Sequence, residues 1–363
     1  MGADVAVVGA GIVGLATAVA LLDAGAAVTV YERGVPGAAQ SGGEARIFRH
    51  AHEDERLVRL AVEARGRWRA WEERFGVELL RADGVLSLGP AAPARLAVLE
   101  RAGGVRARMV GAADVAERLP VLAASGPALL DEDGGVLRTR AAVGALAGAV
   151  GDRMVVDEVL AVRSTPAGTA EVRTGGATTE HARVVVCAGR GTPALAAGTG
   201  LELGVGHAAH ARLTFAVRGA APVRLGCLLD GSGAFGAPGA YGDPLPGNDR
   251  YAIGLHDVAA RADGAVEDPG ALAAAAAATC DYVARALPGL DPRPVEVRHC
   301  WVTSLPWGHD AVAAWDAGPL TFVAGGNLFK HAPALGAALA GAALGDGVPA
   351  WLAPAARLGT AAT

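Results

Sequence analysis

The N-terminal region divides into two apolar runs on either side of a helical pattern. The run "DVAVVGAG" predicts a short buried strand, and "IVGLATAVALLDAG" has the length and composition of a helix that ends at Gly25. The segment "AAVTVYER" is rich in β-branched residues and predicts a second strand. Strand, helix and strand in this order predict a βαβ unit at the start of the chain.

Strand and helix patterns alternate along the rest of the chain. Asp54 to Phe75 is charged and amphipathic and predicts a helix, whereas "DGVLSLGP" predicts a strand before a helix over "APARLAVLERAGG". "GGVLRTRAAVGALAGAVG" predicts a turn that continues into a helix, and the apolar runs after it predict a strand, a hairpin and a buried strand that ends at Gly189. Strand-like pieces fill residues 204–262, and a last strand, "LTFVAGG", precedes a helix from about Ala334.

The turn between the first strand and the first helix carries the spacing of a dinucleotide-binding motif. "GAGIVG" supplies Gly9, Gly11 and Gly14, which allow a tight turn, close approach of the backbone to a pyrophosphate and close helix packing. Glu32 ends the second strand, where an acid accepts hydrogen bonds from a ribose hydroxyl, and Arg33 follows it. The alternative is a glycine-rich turn without a ligand, and the motif alone leaves FAD and NAD open.

Three apolar strands end at glycines, namely Gly9, Gly189 and Gly325. In a doubly wound sheet the carboxyl ends of such strands meet at one edge, where α/β folds bind ligands. The two later junctions favour FAD, and we predict the α/β (α+β) class, with a Rossmann-like, discontinuous FAD-binding domain and a mixed-sheet substrate domain. The predicted FAD-binding segments are 1–80, 138–203 and 317–363, and the substrate/catalytic segments are 81–137 and 204–316.

Composition narrows the classes of partner and compartment. The chain is 52% hydrophobic, has a net charge of −5 and has no block of basic residues, which argues against nucleic acid as a partner. Four widely spaced cysteines without a CxxC pair predict a reducing compartment, no disulfide framework and no metal site. The apolar N-terminus lacks a basic n-region and is broken by "DAG" at 23–25, so we expect a cytoplasmic protein with no signal peptide and no membrane partner.

Four stretches in order along the chain share more specific patterns. They are "VAVVGAGIVGLATAVALLDAGAAVTVYER", "SGGEARIFRHAHEDERLVRLAVEARGRW", "YGDPLPGNDRYAIGLH" and the region from "RHCWVTSLPWGHD" to "FVAGGNLFKHAPALG". The first is common to many flavoproteins, whereas the R-I-x-R, H-C and F-K-x-A-P-x-L-G motifs are more specific. With these motifs the chain resembles the FAD-dependent amine oxidases of the D-amino-acid oxidase superfamily, in the branch of monomeric sarcosine oxidase and N-methyltryptophan oxidase.

The resemblance implies cofactor roles for individual residues. Cys300 corresponds to the cysteine attached covalently to the flavin 8α position, and a small buried apolar side chain is the alternative. Arg46 corresponds to an arginine against the flavin ring, and Val159 to a residue in contact with the adenine. The cofactor contacts that we expect are Gly9, Gly11, Gly14, Glu32, Arg33, Gly43, Arg46, Val159, Gly189, Cys300, Gly326, Leu328 and Lys330.

The resemblance also implies substrate-binding residues. Arg49 and Lys330 correspond to a pair that clamps the substrate carboxylate, and Tyr241 and His256 to residues beside the substrate. A rigid guanidinium fork and a compact ammonium suit a carboxylate. The alternatives are a surface position for Arg49, a hydrogen-bonded core position for His256, and codon bias for Lys330. Because Lys330 is the one lysine among 32 Lys and Arg residues and falls in the most specific motif, we favour a functional lysine.

Three features depart from the family's pattern. The lysine that promotes reaction of oxygen with reduced flavin would lie eleven positions after Tyr241, where this chain has Ala252. The "GGNLFK" loop is about two residues shorter than the usual G-x-S-G-H-G-F-K form. The usual aspartate after the flavin cysteine is replaced by "LPWGHD". Neither oxygen as the acceptor nor the identity of the substrate therefore transfers to this chain.

The residues support oxidation of an amine. We predict hydride transfer from the carbon next to nitrogen to flavin N5, in a small secondary or cyclic amine or amino acid that carries a carboxylate, with an imine as product. One alternative keeps this dehydrogenation but uses an electron acceptor other than oxygen. Another is a flavin-binding subunit without turnover of its own, against which Arg49 and Lys330 argue. An NAD-dependent dehydrogenase is disfavoured by Cys300 as a flavin anchor.

Overall fold

The computed structural model describes residues 4–123, 126–236, 239–261 and 268–360. The strands, in chain order, are β1 (Asp4–Val8), β2 (Ala27–Glu32), β3 (Ala45–Phe48), β4 (Leu80–Arg81), β5 (Val85–Leu88), β6 (Ala107–Val110), β7 (Ala128–Asp131), β8 (Gly135–Arg138), β9 (Met154–Val156), β10 (Val159–Ser164), β11 (Ala170–Thr174), β12 (Thr178–His181), β13 (Arg183–Val186), β14 (Gly206–Val217), β15 (Cys227–Asp230), β16 (Ala240–Pro244), β17 (Arg250–Arg261), β18 (Leu290–Ser304), β19 (Val312–Ala317) and β20 (Leu320–Gly325). The α-helices are α1 (Ile12–Asp23), α2 (Glu55–Phe75), α3 (Ala92–Ala102), α4 (Ala112–Arg118), α5 (Thr139–Val150), α6 (Thr192–Ala197), α7 (Pro269–Ala286) and α8 (Ala332–Gly341).

The glycine motif lies on a sheet whose strand order is β19–β20–β13–β1–β2–β9. Neighbours in this sheet run parallel except β19, which pairs antiparallel with β20. The carboxyl ends of β1, β13 and β20 therefore lie side by side, which confirms that the three strand–glycine junctions meet at one edge. Helix α1 packs between this sheet and helices α5 and α8, so it is apolar on nearly every side.

A second sheet has the strand order β18–β14–β17–β16–β15–β5–β7–β6 in the described part of the chain. It is antiparallel apart from the β5–β15 pair. One face is apolar, where Leu213, Phe215 and Ile253 pack in the same core as residues of α7. Side chains alternate along a strand, so the opposite face carries the intervening residues, among them Arg212 and Asp243.

Two small sheets, β3–β8–β4 and β10–β11–β12, complete the fold of the described residues. Strand β8 corrects one sequence prediction, because Gly135–Arg138 pairs with β3 where we expected a turn. Gly135 marks a close approach of two backbones, since a Cβ there would lie 2.0 Å from the Arg81 carbonyl oxygen. The pairing fixes β3, the strand that carries Arg46 and leads directly into Arg49.

Local signals determine where the helices begin and end. The Asp54 carboxylate caps α2 by accepting a hydrogen bond from the Arg56 amide, and Gly76 ends that helix in a left-handed conformation. Asp268 caps α7 in the same way, with Pro269 at the first helical position. Among the residues with described structure, no helix combines the length and the apolar character needed to cross a membrane.

Candidate active site

The glycines of the first turn leave no room for side chains. Gly9 has a φ of +100°, and a Cβ there would lie 2.6 Å from the Cys187 carbonyl oxygen. A Cβ on Gly14 would lie 1.9 Å from the Gly9 carbonyl oxygen. Gly11 precedes α1 in an extended conformation, so the N-terminus of the helix opens directly on the turn. This is the packing and the helix orientation that a pyrophosphate requires.

Glu32 approaches the same turn from the end of β2. Its carboxylate accepts a hydrogen bond from the Ala10 amide at 2.8 Å. Arg33, next in the chain, is exposed and pairs with Glu158 at 3.6 Å, and Val159 begins β10 half-buried. The structure therefore holds Glu32 at the turn and directs Arg33 towards the surface.

Arg46 is held by its own loop. Its guanidinium donates to carbonyl oxygens of three nearby residues, Gln40, Gly42 and Ala45. Gly43 has a φ of +114°, which favours glycine, and a Cβ there would lie 2.7 Å from Arg46 Nη1. Gly189 lies close by, because a Cβ added at that position would lie 2.6 Å from Gln40 Oε1. Predicted cofactor residues from the loop before β3 and from the end of β13 thus meet here.

A row of polar side chains lies on the second face of the large sheet. Arg212 and Asp243 form a buried ion pair, and Asp243 Oδ2 has no hydrogen-bond partner among the described residues. The Tyr241 hydroxyl lies 3.0 Å from His210 Nδ1. Cys300 lies opposite His210 in the β14–β18 pair, as a half-buried free thiol. This row brings the predicted flavin cysteine and the predicted Tyr241 to one place.

Burial sets the charges along this row. It raises the pKa of Tyr241, and it lowers the pKa of His210 to about 4 with a further contribution from Arg212, so both are neutral near pH 7. Burial and then the Arg212 charge lower the pKa of Arg46. Two guanidinium groups therefore share one nearby carboxylate, that of Asp243, and leave a surplus of positive charge.

These features fit a flavin adenine dinucleotide. The glycine turn leaves space for the pyrophosphate, and Glu32 lies where a ribose hydroxyl would be bound. The surplus positive charge suits a ring that gains negative charge on reduction. Cys300 lies near both Arg46 and Tyr241. The residues that would hold the cofactor are therefore the glycine turn, Glu32, Arg46 and Cys300.

Arg49 and Lys330 meet at a third charged residue, Asp310. The Asp310 carboxylate accepts hydrogen bonds from Arg49 Nη2 at 2.5 Å and from Asn327 Nδ2 at 2.6 Å, and His52 Nδ1 lies 3.1 Å from it. Lys330 Nζ donates to the Asn327 carbonyl oxygen at 3.2 Å. The side chains of Arg49 and Asp310 are 18% and 23% exposed, whereas Lys330 is 4% exposed. We call these five residues the Asp310 cluster.

The Asp310 cluster carries a net positive charge. Burial lowers the pKa of Lys330 to about 8, against the opposing effect of Asp310. Burial raises the pKa of Asp310, but Arg49 and Lys330 outweigh it and hold that pKa well below its usual range. Burial and Arg49 lower the pKa of His52 to about 3. Near pH 7 the cluster therefore holds two cations and one anion, which favours an additional anion.

The short loop before α8 fixes the position of Lys330. A Cβ on Gly326 would lie 1.8 Å from the His309 carbonyl oxygen, so this loop passes directly over the segment that carries Asp310. Asn327 adopts a φ of +54°, and Leu328 begins a 3₁₀ turn that leads into α8. The Lys330 carbonyl accepts a hydrogen bond from Trp68 Nε1 at 2.9 Å. Buried contacts thus anchor the backbone at both ends of the loop.

The predicted substrate residues fall into two groups. Arg49 and Lys330 meet in the Asp310 cluster, as the clamp hypothesis requires. Tyr241 belongs to the polar row with Cys300, and the Arg212 guanidinium lies 5.9 Å from its ring centroid. The His256 ring lies 5.1 Å from the Tyr241 ring, at an exposed position.

Sequence reasoning missed three charged residues. Asp310 is the last residue of "LPWGHD". In the sequence this segment is notable only because it lacks the aspartate that usually follows the flavin cysteine. Arg212 is the second residue of the apolar stretch "ARLTFAVRG", where a charged side chain is a signal of a buried ion pair, and its partner Asp243 follows Tyr241 by two residues. Within the described ranges, no group of three or more His, Cys, Asp or Glu side chains is arranged to hold a metal ion.

Known proteins share this architecture. Residues 4–342 match the model of a family described as FAD dependent oxidoreductase, whereas no curated relative matches the sequence. The chain is similar to a variant of NikD, an unusual amino acid oxidase essential for nikkomycin biosynthesis, in its open form (22% identity, TM-score 0.83, 100% of this chain and 98% of that chain). It is also similar to L-proline dehydrogenase from P. horikoshii (17% identity, TM-score 0.79, 97% of each chain) and to glycine oxidase from Geobacillus kaustophilus (21% identity, TM-score 0.77, 99% of each chain).

Proposed function

This chain belongs to the FAD-dependent oxidoreductase family, and we propose that it oxidises a small secondary or cyclic amine or amino acid that carries a carboxylate. Family membership makes the protein an FAD-dependent oxidoreductase. The observation that carries the finer proposal is the meeting of Arg49 and Lys330 in a partly exposed cluster with net positive charge. A small carboxylate is the ligand that this charge and these donors fit best.

The proposed roles require positioning more than proton transfer. When bound, FAD supplies the acceptor for a hydride from the carbon next to nitrogen, and the amine becomes an imine. Arg49 and Lys330 bind the substrate carboxylate and so fix the orientation of that carbon. Tyr241 and His256 border the substrate on the other side, and burial keeps His210, beside the Tyr241 hydroxyl, neutral near pH 7.

We propose an acceptor other than oxygen as the second candidate function. Ala252 is buried and lies opposite Asp243 in the β16–β17 pair, so the position associated with oxygen in the resembling family is uncharged here. Reduced enzyme should then reoxidise slowly in air and rapidly with an artificial acceptor. Fast reoxidation in air with release of peroxide would contradict this proposal.

We propose that the FAD-binding domain comprises 1–80, 138–203 and 317–363, and the substrate domain 81–137 and 204–316. The six-stranded sheet supports this division, although β19 begins at Val312 and joins that sheet. We also propose a covalent flavin at Cys300 and a cytoplasmic location. The free thiols of the other three cysteines, Cys187, Cys227 and Cys280, support a reducing compartment.

An anaerobic substrate screen tests the main proposal. N-methyl, cyclic and primary amino acids are mixed with the holoenzyme, each beside its analogue without the carboxylate, and bleaching of the flavin is recorded. We expect bleaching with one class of acid and with none of the analogues. Arg49→Met should raise the KM strongly, whereas Arg153→Met, at an exposed position, should leave it unchanged. Equal bleaching by acid and analogue would refute the carboxylate clamp.

Covalent attachment is tested separately by acid precipitation. Wild-type protein should give a yellow pellet, and Cys300→Ala should give a colourless pellet with free flavin in the supernatant. A colourless wild-type pellet would show that the thiol is a packing residue.

A further inference from the structure

The Asp310 cluster already contains a carboxylate, and we infer that Asp310 occupies the position in which the substrate carboxylate binds. The inference rests on the proposed function and deepens it. Asp310 must then leave Arg49 when substrate binds. The donors that it leaves behind, Arg49, His52, Asn327 and Lys330, form the carboxylate receptor.

The contacts of Arg49 show why the two carboxylates exclude each other. Arg49 Nη1 donates to the Ala51 carbonyl oxygen, and Nη2 donates to Asp310. One terminal nitrogen of Arg49 therefore donates to a backbone carbonyl, and the other donates to the Asp310 carboxylate. A substrate carboxylate on Nη2 would place two like charges in contact at a site that solvent screens little, which is strongly disfavoured.

The donors around Asp310 are arranged for any carboxylate, not only for an aspartate. Oδ2 is approached by Arg49 Nη2 and His52 Nδ1, and Oδ1 accepts from Asn327 Nδ2. His52 Nδ1 lies 3.3 Å from Arg49 Nη1 as well, and since an ionised carboxylate can only accept, His52 donates to it in the tautomer with the proton on Nδ1. His52 and Asn327, to which the sequence motifs gave no role, are thereby assigned to substrate binding.

Asp310 is also placed to leave. It lies in the loop between β18 and β19, and its side chain is 23% exposed, whereas the His52 side chain is 1% exposed. Rotation towards solvent would hydrate the Asp310 charge, while the buried donors His52 and Lys330 stay in place. Because this pair must be broken first, Asp310 lowers the affinity for every carboxylate, and removal of its charge should raise that affinity.

Acetate binding to the holoenzyme tests the inference, measured by the change in flavin absorbance and independently by calorimetry. Asp310→Asn should lower the Kd of acetate at least tenfold. Asp316→Asn removes the same charge from an exposed position on β19 and should leave the Kd unchanged. In the Asp310→Asn protein, Asn327→Gly should weaken acetate binding several-fold, since glycine tolerates the positive φ but lacks the donor.

The Kd values of the Asp310, Arg49 and Lys330 variants separate a failure of this inference from a failure of the proposed function. If Asp310→Asn fails to fold, Asp310→Ser gives the same test with a shorter neutral side chain. An unchanged or higher Kd in the Asp310 variants, together with weaker binding in Arg49→Met, would overturn the inference and leave the clamp standing. If Arg49→Met and Lys330→Met both leave acetate binding unaltered, the proposed function itself fails.

Discussion

Lys330→Met should weaken substrate binding but raise the stability of the fold, because the buried ammonium favours binding and disfavours folding. Methionine keeps the length and most of the volume of the side chain, and Lys330 is 4% exposed, so the change mainly removes a charge. The variant therefore measures what that charge does.

The loss in binding follows from electrostatics. Two unit charges about 4 Å apart attract by roughly 4 kcal/mol at an effective dielectric constant of about 20. Truncating one partner of a buried charge pair costs about 2–5 kcal/mol. A loss of about 2–4 kcal/mol corresponds to a rise in KM of roughly 30- to 1,000-fold.

The gain in stability follows from the pKa of the same group. Burial lowers the pKa of Lys330 from 10.5 to about 8. Below pH 8 the side chain is still charged in the folded protein, but this charge costs more free energy there than in the unfolded chain. The penalty is on the order of 3 kcal/mol near pH 7 and fades as pH rises from about 8 towards 10.5. Methionine removes it, and we expect the free energy of unfolding to rise by about 1–3 kcal/mol.

Steady-state kinetics and thermal unfolding of the same preparations give the answer. Arg153→Met is the matched control, since it removes an exposed cation just before β9, at the opposite edge of the six-stranded sheet from β20. An unchanged KM in Lys330→Met would refute the role of the ammonium in binding. A lower Tm would show that Lys330 stabilises the cluster, against the reasoning from its pKa.

Three further changes probe other parts of the site. The Kd of acetate should be flat between about pH 6 and 7, where acetate is ionised, and rise about tenfold per pH unit above about 8, as Lys330 loses its proton; a flat profile to pH 10 would exclude this titration. Gly14→Ala should abolish flavin binding, because its Cβ would lie 1.9 Å from a backbone oxygen of the turn, whereas Gly148→Ala, which has open space, should bind flavin normally. Asp243→Asn should destabilise the protein by about 3–5 kcal/mol in urea unfolding, because it leaves the buried Arg212 without its counter-charge; a loss under about 1 kcal/mol would mean that the pair is relaxed by solvent.

The sequence was sufficient for the features that depend on local pattern. Strand β1, helix α1 and strand β2 follow from runs of apolar residues and from glycine spacing, and the caps of α2 follow from Asp54 and Gly76. The turn predicted at Gly135 was wrong, because in a sequence a glycine that allows two strands to pack closely looks the same as a glycine in a turn. Which of the two applies depends on a partner strand distant in sequence.

The charged clusters were only half predictable, for a related reason. Arg49 and Lys330 were found through motifs, but Asp310 lies in a loop without periodicity and meets Arg49 only in the folded chain. Arg212 and Asp243 become neighbours through the register of strands β14, β17 and β16. Strand register is set by side-chain packing over the whole sheet, which a single sequence does not display.

The place of β13 in the central sheet has a consequence for synthesis of the protein. Strand β1 lies between β2 and β13, and Gly9 packs against the Cys187 carbonyl at the end of β13. Ribosomes add residues 33–182 after β2 is complete, which takes roughly 8 to 30 seconds at common rates. During that interval the edge of β1 that later pairs with β13 has no partner strand. Unpaired apolar strand edges are prone to aggregation, and chaperones bind them. Cofactor capture therefore has to wait until the middle of the chain has been made.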